Sequence, residues 1–159
     1  MSVFVRGRFA LLFLLVTVTV AGCGLTIPTD PDGTLDRVQD GTLRVGVSLS
    51  APWTTAGSHS EPEGIEVDLA RTFAGSLGAQ VEWSVAGEEA LVLAMENGDL
   101  DLIIGGLTST SAWADKVALT MPYRTTTDDT GKKHDHVMAV PMGENAFLVE
   151  LETFLREEG

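Results

Sequence analysis

The stretch Gly98–Tyr123, GDLDLIIGGLTSTSAWADKVALTMPY, decides how the chain folds. Its apolar segment LDLII reads as a short central strand covered on both faces. Two glycines follow, then a loop of small and hydroxyl-bearing residues that holds a single tryptophan, Trp113. On the N-terminal side, TLRVGVSL (42–49) is a second β-branched and apolar run that predicts a buried strand. EGIEVDLARTFAGSLG (63–78) places Leu69, Phe73 and Leu77 at four-residue spacing with Ala70 and Ala74 beside them, the pattern of an amphipathic helix. Glu66 and Asp68 suit its positive N-terminal end, and Gly78 suits the left-handed residue that closes it. QVEWSV (80–85) alternates apolar and polar residues as a half-wet strand does, at a sheet edge. GEEALVLAMENG (87–98) is a second helix.

Strand, helix, strand, helix, strand is a parallel α/β unit. Beyond Tyr123, HVMAV (136–140) predicts another strand and ENAFLVELETFLREEG (144–159) a last helix with Phe147, Leu148, Leu151, Phe154 and Leu155 on one face. Gly131 in DDTG predicts the turn of a hairpin between RTTT and HVMAV. The expected fold class is α/β: a single three-layer lobe with a mostly parallel sheet, a C-terminal hairpin strand and a closing helix.

Ligands of open parallel sheets sit beyond the carboxyl ends of the strands, where the connections diverge. The two loops that should meet there are SLSAPWTTAG (48–57) and GGLTSTSAW (105–113). Ser48, Trp53, Thr108, Thr110 and Trp113 are therefore the candidate ligand-binding residues. Gly105 and Gly106 let a ligand or the opposite loop approach the backbone. Ser111 is a candidate N-cap for a helical turn through AWADK. Either tryptophan read singly could equally be a lid on the apolar end of the sheet.

The chain opens with MSVFVRGR, two arginines ahead of the apolar run FALLFLLVTVTVA, which has the layout of a secretory signal peptide. The run ends at VAGC, which resembles the bacterial lipobox and makes Cys23, the single cysteine, the expected lipid attachment point. The alternatives are an ordinary signal peptide with an incidental cysteine, or an uncleaved anchor. The predicted organisation is a lipoprotein signal peptide at 1–22, a flexible tether at 23–41, rich in Pro, Gly, Asp and Thr, and the folded lobe at 42–159. The expected location is extracytoplasmic, on the cell membrane. A net charge of −13 argues against nucleic acid as a partner, because phosphates require Lys and Arg to neutralise them. It mildly favours cationic or neutral ligands, or simply keeps the protein in solution.

The order GTLRVGVSLSAPW, EGIEVDLAR and Gly98–Tyr123 resembles the first lobe of the family 3 solute-binding proteins, the extracytoplasmic receptors of amino-acid-type ABC transporters. VMAVPMGENAFLVELETFL is similar to that family's closing strand and helix. The resemblance implies a periplasmic-binding-protein-like lobe and a small-molecule solute. A membrane permease is the implied partner, and no catalysis or cofactor is implied. Two departures stand out. The second lobe that the family inserts after its PY segment is replaced here by RTTTDDTGKKHD. The family's Thr-rich loop continues to an arginine that grips the ligand carboxylate, and Trp113 holds that place. An indole has one N–H and no charge, so it suits a ring, an acyl chain or a cation instead.

Capture by half a cleft should be weak, since small-molecule sites usually bury about 70–90% of their ligand. The other reading is an interaction module that docks on a membrane partner or on its own copy, with ligand capture lost. Some relatives carry this lobe joined to a peptidoglycan lyase, and no catalytic domain is expected here. No phosphate loop, nucleotide fingerprint or hydrolase elbow occurs. His134 and His136 could reach a metal only with Asp128 or Asp129, so no metal site is expected.

Overall fold

A computed structural model describes residues 28–57 and 61–158 of the chain. The elements are α1 (Thr34–Val38), β1 (Thr42–Val47), β2 (Thr55–Ala56), β3 (Pro62–Glu63), α2 (Ile65–Ser76), β4 (Gln80–Val85), α3 (Glu88–Glu96), β5 (Leu102–Ile104), β6 (Ala118–Leu119), β7 (Arg124–Thr127), β8 (Lys133–His136), β9 (Ala139–Val140) and α4 (Asn145–Glu158). The main sheet has the order β4-β1-β5-β9-β6, with β4 at one edge. β1 pairs in parallel with β4 and with β5, and β9 runs antiparallel to both β5 and β6.

Side-chain alternation on β1 and β5 divides the interior into two layers. Val45, Val47, Leu102 and Ile104 face α2 and α4, where Phe73, Phe147, Leu151 and Leu155 complete one core. Ile103, with Leu100 and Ala139, faces α3, where Leu91, Val92 and Met95 form the other. This is the three-layer α/β lobe that the periodicity predicts. On α4, Phe147, Leu151 and Leu155 are buried, and burying each such side chain stabilises the fold by about 2 kcal/mol.

Two expectations change. The tether was expected to run to residue 41, but residues 28–41 are part of the lobe. Val38 is fully buried, and Asp30 accepts hydrogen bonds from the N–H groups of Leu35, Ala146 and Phe147. Glu144, itself buried, accepts from the N–H groups of Asp32 and Thr34. Composition favoured a tether because Pro, Gly and Asp also build caps and turns, which is their use here. Residues 1–27, including Cys23, the signal peptide and the start of the tether, lie outside the described residues.

The second change concerns HVMAV, which is not one strand. The hairpin turns at Gly131, with φ of 85°, but it pairs β7 with Lys133–His136. The chain then crosses into the main sheet, where Ala139 pairs with Ile103. His136 to Val140 are all buried, so the apolar run continues across the junction between two strands.

Candidate functional site

β1 and β5 end side by side, and the Ser48 N–H donates to the Ile104 carbonyl at 2.9 Å. The loops that leave them meet at the carboxyl end of the sheet. Gly105 and Gly106 adopt φ of 153° and 68°. A Cβ on Gly105 would lie 2.6 Å from the Ser48 carbonyl oxygen, and one on Gly106 would lie 2.5 Å from the Trp53 ring. The glycines thus admit the opposite loop, one of the two roles expected of them. Trp53 is 8% exposed. Its ring lies 3.9 Å from that of His136, centroid to centroid, and meets the edge of Tyr123 at 6.5 Å.

Behind these rings sits Glu66, a fully buried carboxylate in the first turn of α2. One oxygen accepts the N–H groups of Gly105 and Gly106 at 2.7 and 2.9 Å, and the other accepts the Tyr123 hydroxyl at 2.6 Å. The two glycine N–H groups, which could have served an anionic ligand, are therefore held by the protein's own carboxylate. Burial pushes the Glu66 carboxyl above its ordinary range, and the three donors oppose that shift. Burial and the neighbouring Glu66 push the Tyr123 phenol far up, so it remains a donor.

Thr108 and Thr110 share a hydroxyl–hydroxyl hydrogen bond of 3.1 Å on the outer side of the loop. The loop is paired with the base of the hairpin. Thr108 bridges His136, the Ser109 N–H donates to the Asp135 carbonyl at 2.9 Å, and the Val137 N–H donates to Leu107 at 3.0 Å. His136 is 5% exposed, and burial lowers its pKa so that the ring is held neutral. Its Nε2 lies 2.8 Å from the Thr126 hydroxyl, and its Nδ1 is buried with no hydrogen-bond partner among the described residues.

Trp113 stands apart from this group. Its Nε1 donates to a Glu88 carboxylate oxygen at 2.9 Å, and its ring packs against the α3 core. Trp53 and Trp113 thus belong to different sides of the sheet end, the first beside α2 and Tyr123, the second beside α3. The segment AWADK makes turns and no helix. The Ser111 hydroxyl accepts the Trp113 N–H at 3.3 Å, and the chain closes with the Val117 N–H on the Trp113 carbonyl. The sequence reading missed Glu66, Tyr123 and His136 as parts of this site. A charged residue inside the apolar pattern of a helix's first turn was the available signal for Glu66.

His134 lies 2.9 Å from Asp128, on the hairpin. Among the described residues, no group of three or more His, Cys, Asp or Glu could hold a metal ion. No described helix is long and apolar enough to cross a membrane.

The carboxyl end of the sheet thus carries the Thr108 and Thr110 hydroxyls and Ser48, with Trp53 buried beside them and Trp113, bonded to Glu88, on the α3 side. Residues 43–158 match the bacterial extracellular solute-binding proteins, family 3. The membrane-bound lytic murein transglycosylase F of Vibrio cholerae is 34% identical over 95 residues, which are 58% of this chain and 17% of that protein. The corresponding Maricaulis maris protein is 32% identical over 125 residues, 76% of this chain and 27% of its own length. The chain thus spans under a third of these relatives. Among solved structures, the arginine-bound form of domain 1 from TmArgBP has 26% identity and a TM-score of 0.66, covering 77% of this chain and 97% of that one. Its Phe57Trp mutant has 25% identity and a TM-score of 0.69, covering 78% and 97%. An ancestral cationic amino acid solute-binding protein, AncCDT-1, shares the fold, with a TM-score of 0.69 at 16% identity and coverage of 78% and 93%. On this match over most of its folded length, the chain belongs to the family 3 bacterial extracellular solute-binding proteins.

Proposed function

We propose that the protein is a single-lobe solute-binding module, held at the outer face of the membrane by lipid on Cys23, serving as the binding component of, or an accessory to, an ABC transporter permease. Its role is binding, not catalysis. The solute is a small cationic or aromatic molecule that rests on the sheet end among Ser48, Trp53, Thr108 and Thr110, with Trp113 and Glu88 at the flank. The observation that carries this reading is the family match combined with its closeness to TmArgBP domain 1, a single domain solved with arginine bound.

That neighbour bears on the expected weakness of half a cleft, because it is one lobe and its structure is the arginine-bound form. The acidic balance and the Glu88 carboxylate beside the Trp113 indole favour a cation over a carboxylate at this position. The thermal midpoint, measured against arginine, lysine, simple amines and small aromatics at millimolar concentration, tests the reading. Ligand at about ten times its Kd stabilises the folded state by about 1.4 kcal/mol, a rise of a few degrees for a domain of this size. A midpoint unmoved by every member of the panel overturns solute binding.

A further inference from the structure

By the N-terminal ends of β1 and β5, away from the two loops of the solute end, the surface holds a cavity of about 660 Å³. None of the candidate solute-binding residues belongs to it. A pocket of that size takes a drug-sized molecule, and a free amino acid fills only a small part of it. Its wall carries three cations, Arg37, Arg44 and Lys116, and two anions, Asp32 and Glu96. Behind the wall, and not lining the cavity, the buried Asp101 pairs with Arg44 at 2.6 Å and with Arg37 at 2.8 Å. Both signs are therefore present with no surplus of positive charge, so a polyanion finds no net attraction here and a molecule that carries one charge of each sign does.

The polar groups still open to a ligand are few. Arg44 commits Nε, Nη1 and Nη2 to Asp101 and the Gly98 carbonyl, which fixes that side of the wall. Among the described residues, Arg37 bonds through Nη2 alone, which leaves its Nε and Nη1 hydrogens free. Lys116 has one contact of 3.4 Å, to Glu96. The Asp32 carboxylate and the Asn97 carboxamide make no side-chain hydrogen bond among the described residues, since both residues bond through their backbone N–H. Asp32, Arg37, Asn97 and Lys116 are all exposed. The apolar part of the wall includes Met95 and Leu100, both nearly buried, and Met142, 56% exposed, whose flexible thioether adapts to what it meets.

We propose that this cavity is a second binding site, for a short zwitterionic peptide. Arg37 and Lys116 take its terminal carboxylate and Asp32 its terminal ammonium, the charge-assisted contacts that carry most of the affinity. Asn97 bonds a peptide group between them, and Met95, Leu100 and Met142 meet small apolar side chains. The site depends neither on solute binding at the other end of the sheet nor on the lipid.

An amide NMR titration of the full chain in detergent micelles tests this with trialanine, N-acetyl-trialanine and trialanine amide. The expected result is saturable shifts at Arg37, Asn97, Gly98 and Lys116 with trialanine at millimolar concentration, unaltered by millimolar arginine. Blocking either terminus should weaken binding several-fold. Asp32→Asn should erase the advantage of trialanine over its N-acetyl form, and Lys116→Gln should reduce its advantage over the amide. Both positions are exposed, and unchanged amide shifts in the rest of the lobe check that the variants fold. No saturable shift at these four residues, displacement by arginine, or advantages that survive both substitutions would overturn the site. An N-acetyl form that binds as tightly as trialanine would make it a carboxylate site and overturn its assignment to a zwitterion.

Discussion

Replacing Glu66 by alanine strips the acceptor from two backbone N–H groups and a phenol in a buried place, and leaves a void. The expected cost is about 3 kcal/mol, read from urea unfolding. Glu66→Gln keeps the shape and an acceptor oxygen, and should cost about 1 kcal/mol. The two variants also separate by pH. The Glu66 carboxyl is raised above its ordinary 4.5 in the folded state, so its contribution is complete below that value and declines as pH rises through the raised one. The stability gap between the protein and its Gln variant should therefore narrow with rising pH over that interval, and a gap independent of pH would contradict the assignment. At Trp113, phenylalanine keeps the packing and loses the bond to Glu88, for an expected loss of about 1 kcal/mol. Of these residues, Trp53, Trp113 and the glycine pair were legible in the sequence as members of the two meeting loops. Glu66 and Tyr123 were not, because a carboxylate at a helix start and a Pro-Tyr pair each have an ordinary local use. Only the folded chain brings them within hydrogen-bond distance across 57 positions.

The helical apolar period places α2, α3 and α4 where the structure has them. HVMAV is continuous in hydrophobicity but divided between the hairpin and the main sheet, and a pattern of apolar residues carries no mark of such a crossing. The segment before Thr42 was the other failure. Asp30 binds donors from α1 and α4, more than a hundred positions apart, and no local pattern encodes that reach. Asp30→Ala should cost about 1–2 kcal/mol, seen as a lower thermal midpoint and faster amide exchange at the start of α4. Asp101 joins α1 to β1 in the same manner. Despite its burial, the hydrogen bonds and charges of Arg44 and Arg37 hold its carboxyl below the ordinary 3.8. Its contribution is thus present above 3.8 and lost as pH falls through the lowered value, so Asp101→Asn should flatten the acid limb of the stability profile. Both arginines are partly exposed, which limits the expected loss at neutral pH to about 2 kcal/mol.

For the molecule as a whole, the decisive feature is the short hairpin β7–β8, which stands where the family resemblance implies an inserted second lobe. β7 and β8 occupy the two chain positions where such a lobe would leave and return, and their ladder closes the gap with Thr126 on His136 and Thr108 bridged beside them. Both cores are closed within this one lobe, because α2 and α4 cover one face of the sheet and α3 covers the other. Among the described residues, the carboxyl end of the sheet, where the solute is proposed to bind, is bordered by its two loops and the base of the hairpin. An amide NMR titration of the folded lobe with arginine tests this most directly. The expected result is saturable shifts centred on Ser48–Thr54 and Gly105–Trp113, with the indole N–H of Trp113 among them and the amides around Asp101 still. Shifts centred on the cavity beside Asp101, or no saturable shift at millimolar arginine, would contradict the account.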